Sequence, residues 1–156
     1  MEGKKVNESS LALVQVMTPQ DTNIAGNVHG GIIVKLIDEA GGTVARRHVR
    51  GNAVTAAIDS LDFYYPAFVG DLITLKASLN LVGKTSMEVG VRVESENLVT
   101  GETRHTASAY LTYVALDKEG RPTPVPPLIL ETEEDARRNH EAKARREARL
   151  RQRSLR

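Results

Sequence analysis

The chain contains no cysteine. That excludes disulfides, thiolate metal sites and a cysteine nucleophile. No apolar run approaches the roughly 20 residues that a membrane span needs. The first residues are polar and lack the apolar stretch of a secretory leader, so the expected compartment is the cytoplasm. Neither charge dominates. The 21 basic and 20 acidic side chains leave a formal net charge of +1, which gives no overall reason to expect nucleic acid or a membrane as partner. His29, His48, His105 and His140 show no metal-ligand spacing, so no metal is expected. No Gly-x-Ser-x-Gly elbow is present to supply a serine nucleophile.

What is present suffices for one domain with a real core, at 156 residues and 40% hydrophobic composition. Residues 1–9 are polar and expected to fray. Leu11 to Val16 has the look of a short strand, and Thr18 to Asn23 is turn chemistry. From Ile32 the period changes. Ile32, Ile33, Leu36, Ile37, Ala40 and Val44 mark one face of a helix running to about His48, with Gly51 just beyond. Gly41-Gly42 inside that helix costs roughly 1 kcal/mol per glycine against alanine. Close approach of another backbone is the expected compensation.

After Gly51 the pattern is β. Val54 to Phe63 is rich in branched residues. Leu72 to Leu81 alternates, Gly83-Lys84 turns, and Met87, Val89, Val91 and Val93 continue the alternation. A second turn at Thr100-Gly101 precedes a strand from Thr103 to Ala115. One helix followed by a run of antiparallel strands argues for an α+β fold, with a single long helix packed on a curved sheet. Arg121 to Pro127 is proline-rich and marks a boundary, giving a domain over residues 10–127 and a charged helical extension over 128–156. In that extension Thr132 and Asp135 form a capping-box pattern. Glu133/Arg137, Glu134/Arg138, Glu141/Arg145 and Glu147/Arg151 are favourable i,i+4 pairs. With little apolar stripe, this helix is not expected to be buried deeply.

The chemistry concentrates between Asn23 and Asp38. Gly30-Gly31 at a helix entry presents free backbone N–H groups, which suit a carbonyl oxygen or an anion. Asp38 lies two turns further along, at the edge of the apolar face. It can act as a general base on water or attack a carbonyl directly. Asn27 can orient water or carbonyl, and His29 belongs with the substrate contacts. An electrophile-binding loop so near a carboxylate points to acyl transfer, most simply hydrolysis. Gly83-Lys84-Thr85-Ser86 falls short of a phosphate-loop motif, because Ser78 stands where its first glycine belongs. A glycine turn with Lys84, Thr85 and Ser86 can still contact a cofactor's phosphate or amide tail.

These segments resemble the hotdog-fold acyl-CoA thioesterases. The matching residues are Met17 to Asn23, Gly26-Asn27-Val28-His29-Gly30-Gly31 and Lys35-Leu36-Ile37-Asp38-Glu39-Ala40-Gly41-Gly42. Ala57 to Phe63, Val69-Gly70-Asp71 and Val82-Gly83-Lys84-Thr85-Ser86 follow in order. The subgroup they resemble is the cytosolic long-chain acyl-CoA hydrolases and their bacterial YciA-like relatives. The resemblance covers about Leu11 to Pro127 and implies a hotdog fold, with an antiparallel sheet wrapped around the central helix. It implies acyl-CoA as substrate, with coenzyme A part of substrate and product and no separate cofactor. It also implies a dimer with active sites at its interface, usually assembled into a hexamer as a trimer of dimers. The family's catalytic aspartate maps onto Asp38. The asparagine of the two-domain relatives maps onto Asn27, and in those relatives the two residues come from different hotdog repeats. Asn27 of one subunit is therefore expected to meet Asp38 of the other. A hotdog hydratase or dehydratase using His29, and a non-catalytic acyl-CoA-binding regulator, stay open as alternatives.

Overall fold

The helical spacing after Ile32 folds into one long helix, α1 (Gly30–Val49). The computed structural model describes residues 1–155. Cations fill the last turn of α1, where they complement the negative end of the helix dipole. The left-handed residue that ends it is Arg50 (φ 52°), not the following Gly51.

Among the described residues seven strands accompany α1: β1 (Lys4–Lys5), β2 (Leu11–Val16), β3 (Asn52–Phe63), β4 (Leu72–Val82), β5 (Ser86–Glu96), β6 (Thr103–Leu116) and β7 (Leu128–Ile129). Five of them form one antiparallel sheet in the order β2-β4-β5-β6-β3. The alternation in the sequence decides which face is buried. Ile73, Leu75 and Leu79 on β4, Val89 and Val93 on β5, and Leu111 and Tyr113 on β6 are buried with Ile33, Ile37, Ala40 and Val44 of α1 in one core. This is the hotdog arrangement of one helix against a five-stranded sheet.

A second helix, α2 (Glu133–Ser154), lies on the sheet's other face. Its start is the expected capping box. The Thr132 side chain accepts from the Asp135 N–H at 2.9 Å, and the Asp135 carboxylate accepts from the Thr132 N–H at 3.2 Å. Its shallow burial is as expected. Only Ala142 is buried along its length, yet the helix is held firmly by polar contacts. Arg145 leaves the expected partner Glu141 and grips Glu88 of β5 with two bonds of 2.8 Å. The Glu88 side chain is 1% exposed and that of Arg145 25%. The same guanidinium lies 3.6 Å from the centre of the Tyr110 ring, and Asn80 Nδ2 donates to Glu88 at 3.0 Å. Arg149 reaches Asp59 at 3.2 Å, and Asn139 donates to the Asn80 carbonyl at 3.0 Å. Of the expected i,i+4 pairs, Glu134–Arg138 forms at 2.9 Å, while Arg137 turns to Glu134 and Glu141 instead of Glu133.

Residues 1–9 carry regular structure where fraying was expected. Lys4 and Lys5 pair in parallel with Leu128 and Ile129, and Val6 is buried. Together these pieces close over the end of α1. Lys4 Nζ donates to the His48 carbonyl at 2.7 Å, and Arg47 donates to the Ser9 and Ser10 carbonyls at 3.3 and 3.1 Å. His48 Nε2 donates to the Pro126 carbonyl at 2.8 Å, while its Nδ1 is buried without a partner.

Burial holds the His48 imidazole below its ordinary pKa, against a smaller opposing effect of the Pro126 bond. The unfolded chain therefore takes up a proton below about pH 6.5 that the folded chain refuses, and stability falls as pH drops through that range. Thermal melts at fixed protein concentration between pH 7.5 and 5.5 test this. Wild type is expected to lose stability more steeply than His48→Gln, by up to about 1.4 kcal/mol per pH unit. Parallel profiles would remove His48 from the acid response.

Candidate active site

Asp38 sits on the third turn of α1, half-buried, where the helix passes under β6 and the edge strand β3. One carboxylate oxygen, Oδ1, accepts from Thr55 Oγ1 at 2.7 Å and from the Tyr113 hydroxyl at 3.0 Å. The other, Oδ2, has no partner among the described residues, so it faces outward while its neighbour is clamped. Burial first, and then the Asp38 charge, push the Tyr113 phenol well above its ordinary pKa. The phenol therefore stays protonated and remains a donor.

Gly41 explains how Tyr113 reaches this position. A Cβ on Gly41 would stand 2.6 Å from the Tyr113 oxygen and 3.2 Å from two ring carbons. The close neighbour is thus a side chain from β6 and not the backbone that the sequence led us to expect. Thr55 and Tyr113 were not singled out from the sequence. They are directly opposite each other in the β3–β6 register, a pairing that no local pattern announces.

The loop before α1 is ordered by an asparagine that sequence reasoning passed over. Asn23 Oδ1 accepts from the Ala25 N–H at 3.0 Å and from the Asn27 N–H at 3.2 Å. Those two donors fix which end of the carboxamide is oxygen, so Nδ2 is presented outward as a donor. Asn27 is half-buried and engaged through its backbone. Its carbonyl accepts from the Asn23 N–H at 2.8 Å, and it bridges to Phe68. His29 is exposed at the N-cap of α1 and gives no side-chain cap, while its carbonyl takes the Ile32 N–H at 3.0 Å. Gly30 and Gly31 open the helix with no acid in the first turn, and their N–H groups have no partner among the described residues. A Cβ at Gly31 would meet nothing, and one at Gly30 only the Phe63 ring at 3.8 Å. Packing within the chain does not require glycine at either position. Their smallness suits something brought in from outside.

The structure does not gather all expected residues in one place. Gly30 and Asp38 are eight residues apart on a straight helix, hence about 12 Å along its axis. The Gly83–Ser86 turn closes the β4–β5 hairpin, with the Gly83 N–H bonded to the Ser86 carbonyl at 2.8 Å. Ser86 pairs with Val114, next to the Met87–Tyr113–Thr55 row. Two strand spacings place this turn about 10 Å from the Asp38 end of β3. Within one chain, then, Asp38 and the hairpin share one end of the sheet, and the glycine N–H groups lie apart.

A family model described as the thioesterase superfamily matches residues 25–102, from within the loop before α1 to the end of the β5–β6 turn. The chain belongs to the thioesterase superfamily. Among its members, the rat cytosolic acyl coenzyme A thioester hydrolase is 38% identical over 146 residues, covering 92% of this chain and 38% of that protein. The chain thus spans about two fifths of the length of that superfamily relative. A crystal structure of an apo-hexameric acyl-CoA thioesterase superposes with a TM-score of 0.95 at 41% identity, covering 100% of both chains. An acyl-CoA hydrolase from Staphylococcus aureus, solved with coenzyme A, superposes with a TM-score of 0.93 at 32% identity, covering 99% of this chain and 92% of that one. Its structures include three variants in which an aspartate, an asparagine and a threonine were each replaced by alanine.

The Tyr113 arrangement makes its own prediction. Gly41→Ala gains helix propensity but forces a 2.6 Å contact on the Tyr113 hydroxyl, and overpacking of this kind costs about 1–3 kcal/mol. Urea unfolding at fixed protein concentration should show a net loss. A variant as stable as wild type would mean that the ring moves aside freely.

Proposed function

We propose that this protein hydrolyses acyl-CoA thioesters to a free fatty acid and coenzyme A. The observation that carries this reading is the Asp38 carboxylate, with Oδ1 held by Thr55 and Tyr113 and Oδ2 left free to act. Membership of the thioesterase superfamily supplies the reaction class. Oδ2 either takes a proton from water as the oxygen adds to the thioester carbon, or adds to that carbon itself. In both routes a C–O bond forms, the C–S bond breaks, and the sulfur leaves as thiolate and is protonated. No metal or redox group is called for, since a thioester is already activated and thiolate is a fair leaving group.

The carbonyl oxygen is held by the N–H groups of Gly30 and Gly31. Reacting atoms must come within about 3–3.5 Å of each other, and Asp38 of the same chain is about 12 Å along the helix from those groups. A second subunit resolves the mismatch. The edge strand β3 has an open side, with Val54 and Ile58 exposed. An edge of 12 residues without proline or lysine is a template for pairing. Two copies joined there complete two symmetry-related sites, each taking the loop of one subunit and Asp38 of the other. The hexameric thioesterase of like fold supports further assembly into a trimer of dimers.

Of the two loop asparagines, Asn23 has the stronger claim to face the partner's acid. Its carboxamide is preorganised by two backbone donors, whereas the Asn27 side chain makes no bond among the described residues. Spacing supports the same choice. In the Staphylococcus aureus hydrolase the replaced asparagine precedes the replaced aspartate by fifteen positions and the threonine follows it by seventeen, as Asn23 and Thr55 do around Asp38. Asn27 then serves the loop's shape, and His29 lines the substrate entrance. The Gly83–Ser86 turn lies along the CoA arm. The rat relative is named cytosolic, and we place the activity in the cytoplasm.

Thiol release from acyl-CoA tests the mechanism. Asp38→Asn should lose at least about a hundredfold in turnover with its oligomer intact, and near-normal turnover would remove Asp38 from the chemistry. Asn23→Ala should lose less. Co-expressed Asn23→Ala and Asp38→Asn chains should recover about a quarter of wild-type activity, since half the dimers are mixed and each holds one intact site. Mixtures no better than the separate variants would rule out sharing across the interface.

A further inference from the structure

The charged helix α2 has no role in the chemistry above, yet one of its side chains lies on the candidate CoA turn. A Cβ at Gly83 would stand 3.0 Å from Arg146 Nη1, 3.3 Å from its Cζ and 3.1 Å from Ser86 Oγ. The guanidinium and the hydroxyl therefore flank the bare backbone of Gly83, and a side chain there would push the guanidinium aside. Four other arginines of α2, namely Arg137, Arg138, Arg145 and Arg149, each have a carboxylate within 4 Å. Arg146 has none among the described residues. Its own helix offers none either, because the positions three and four away are Ala142, Lys143, Arg149 and Leu150. The next residue of the turn, Lys84, is exposed and also lacks an acid partner among the described residues. A half-buried guanidinium beside a lysine and a hydroxyl presents donors suited to an anion.

We infer that Arg146, carried by α2 onto the Gly83–Ser86 hairpin, binds a phosphate of coenzyme A and makes the C-terminal helix part of the substrate site. The inference rests on the acyl-CoA reading and adds a binding residue to it. Arg146 supplies a planar pair of donors, Lys84 a point charge and Ser86 a hydroxyl. The hairpin's position, about 10 Å across the sheet from the Asp38 end, leaves the pantetheine arm to span the remainder. A contact of this kind holds the nucleotide equally in ground and transition states, so it lowers KM without raising kcat.

The test compares two substrates that differ only in the nucleotide. Arg146→Gln should raise KM for butyryl-CoA about tenfold, the loss of one charge-assisted phosphate contact, with kcat within twofold. Its KM for S-butyryl-pantetheine, which has no nucleotide, should not change. Gly83→Ala should act in the same direction by displacing the guanidinium, and Arg146→Lys should recover part of the loss. Calorimetric titration with coenzyme A itself reads the same contact without turnover. Arg146→Gln should weaken that binding about tenfold, and the wild-type affinity should fall more steeply with salt. An unchanged KM and affinity, or an equal KM rise for both substrates, would overturn the inference. Wild type that binds coenzyme A in an Arg146-dependent way but releases no thiol would instead overturn the thioesterase reading.

Discussion

A phenol lying on the bare backbone of a helix holds this molecule's acid in place. Tyr113 can stand against α1 only because Gly41 has no side chain. From there its hydroxyl reaches both the backbone and the carboxylate of Asp38. Core packing and site geometry thus meet in one contact. The ring is a buried part of the sheet, and its oxygen is a ligand of the candidate catalytic group. Gly41 weakens the helix by roughly 1 kcal/mol, yet a Cβ there would press on the Tyr113 hydroxyl and disturb both functions at once. Thr55 adds the second bond from the sheet's edge, so the carboxylate is fixed where the sheet is open to a partner.

The opposite face of the sheet is held on different terms. There the contacts are charged, and a fully covered Glu88 accepts from Arg145, which also covers Tyr110. A buried ion pair of this kind adds little net stability, but breaking it leaves an unpaired charge and costs several kcal/mol. It therefore serves as a register mark more than as glue. Arg145 and Arg149 of α2 each meet a particular acid of the sheet, which sets the rotation and the sliding position of an otherwise featureless polar helix. That is what brings Arg146 to rest on Gly83 and not one turn away.

Much of this was legible in the chain. The switch from three- and four-residue spacing to alternation located α1 and strands β4 to β6, because burial on one face imposes those periods directly. Asp38 and the Gly30-Gly31 entry stood out because their signals are local. What escaped depends on partners far away in sequence. The neighbour of Gly41 was read as backbone and is a tyrosine 72 positions on. Thr55 and Tyr113 are polar residues in strands, unremarkable until the sheet's register sets them opposite each other. The i,i+4 reading of α2 saw only its own acids, while Arg145 and Arg149 bond to residues 57 and 90 positions upstream. Residues 1–9 looked unstructured because the strand they pair with lies at the far end of the chain. Among the asparagines, Asn27 drew attention by its place beside His29, whereas the preorganisation of Asn23 appears only once the turn is built.

The parallel pairing of Lys4-Lys5 with Leu128-Ile129 has a consequence for biosynthesis. On the ribosome, the sheet and α1 can collapse as soon as β6 emerges, since every strand of the main sheet has then been made. The first residues must nevertheless wait, unpaired, for a strand translated more than a hundred residues later. Until that clasp closes, the His48 end of α1 lacks its contacts with Lys4 and Pro126. The nascent protein thus has its acid in position before its last helix has docked.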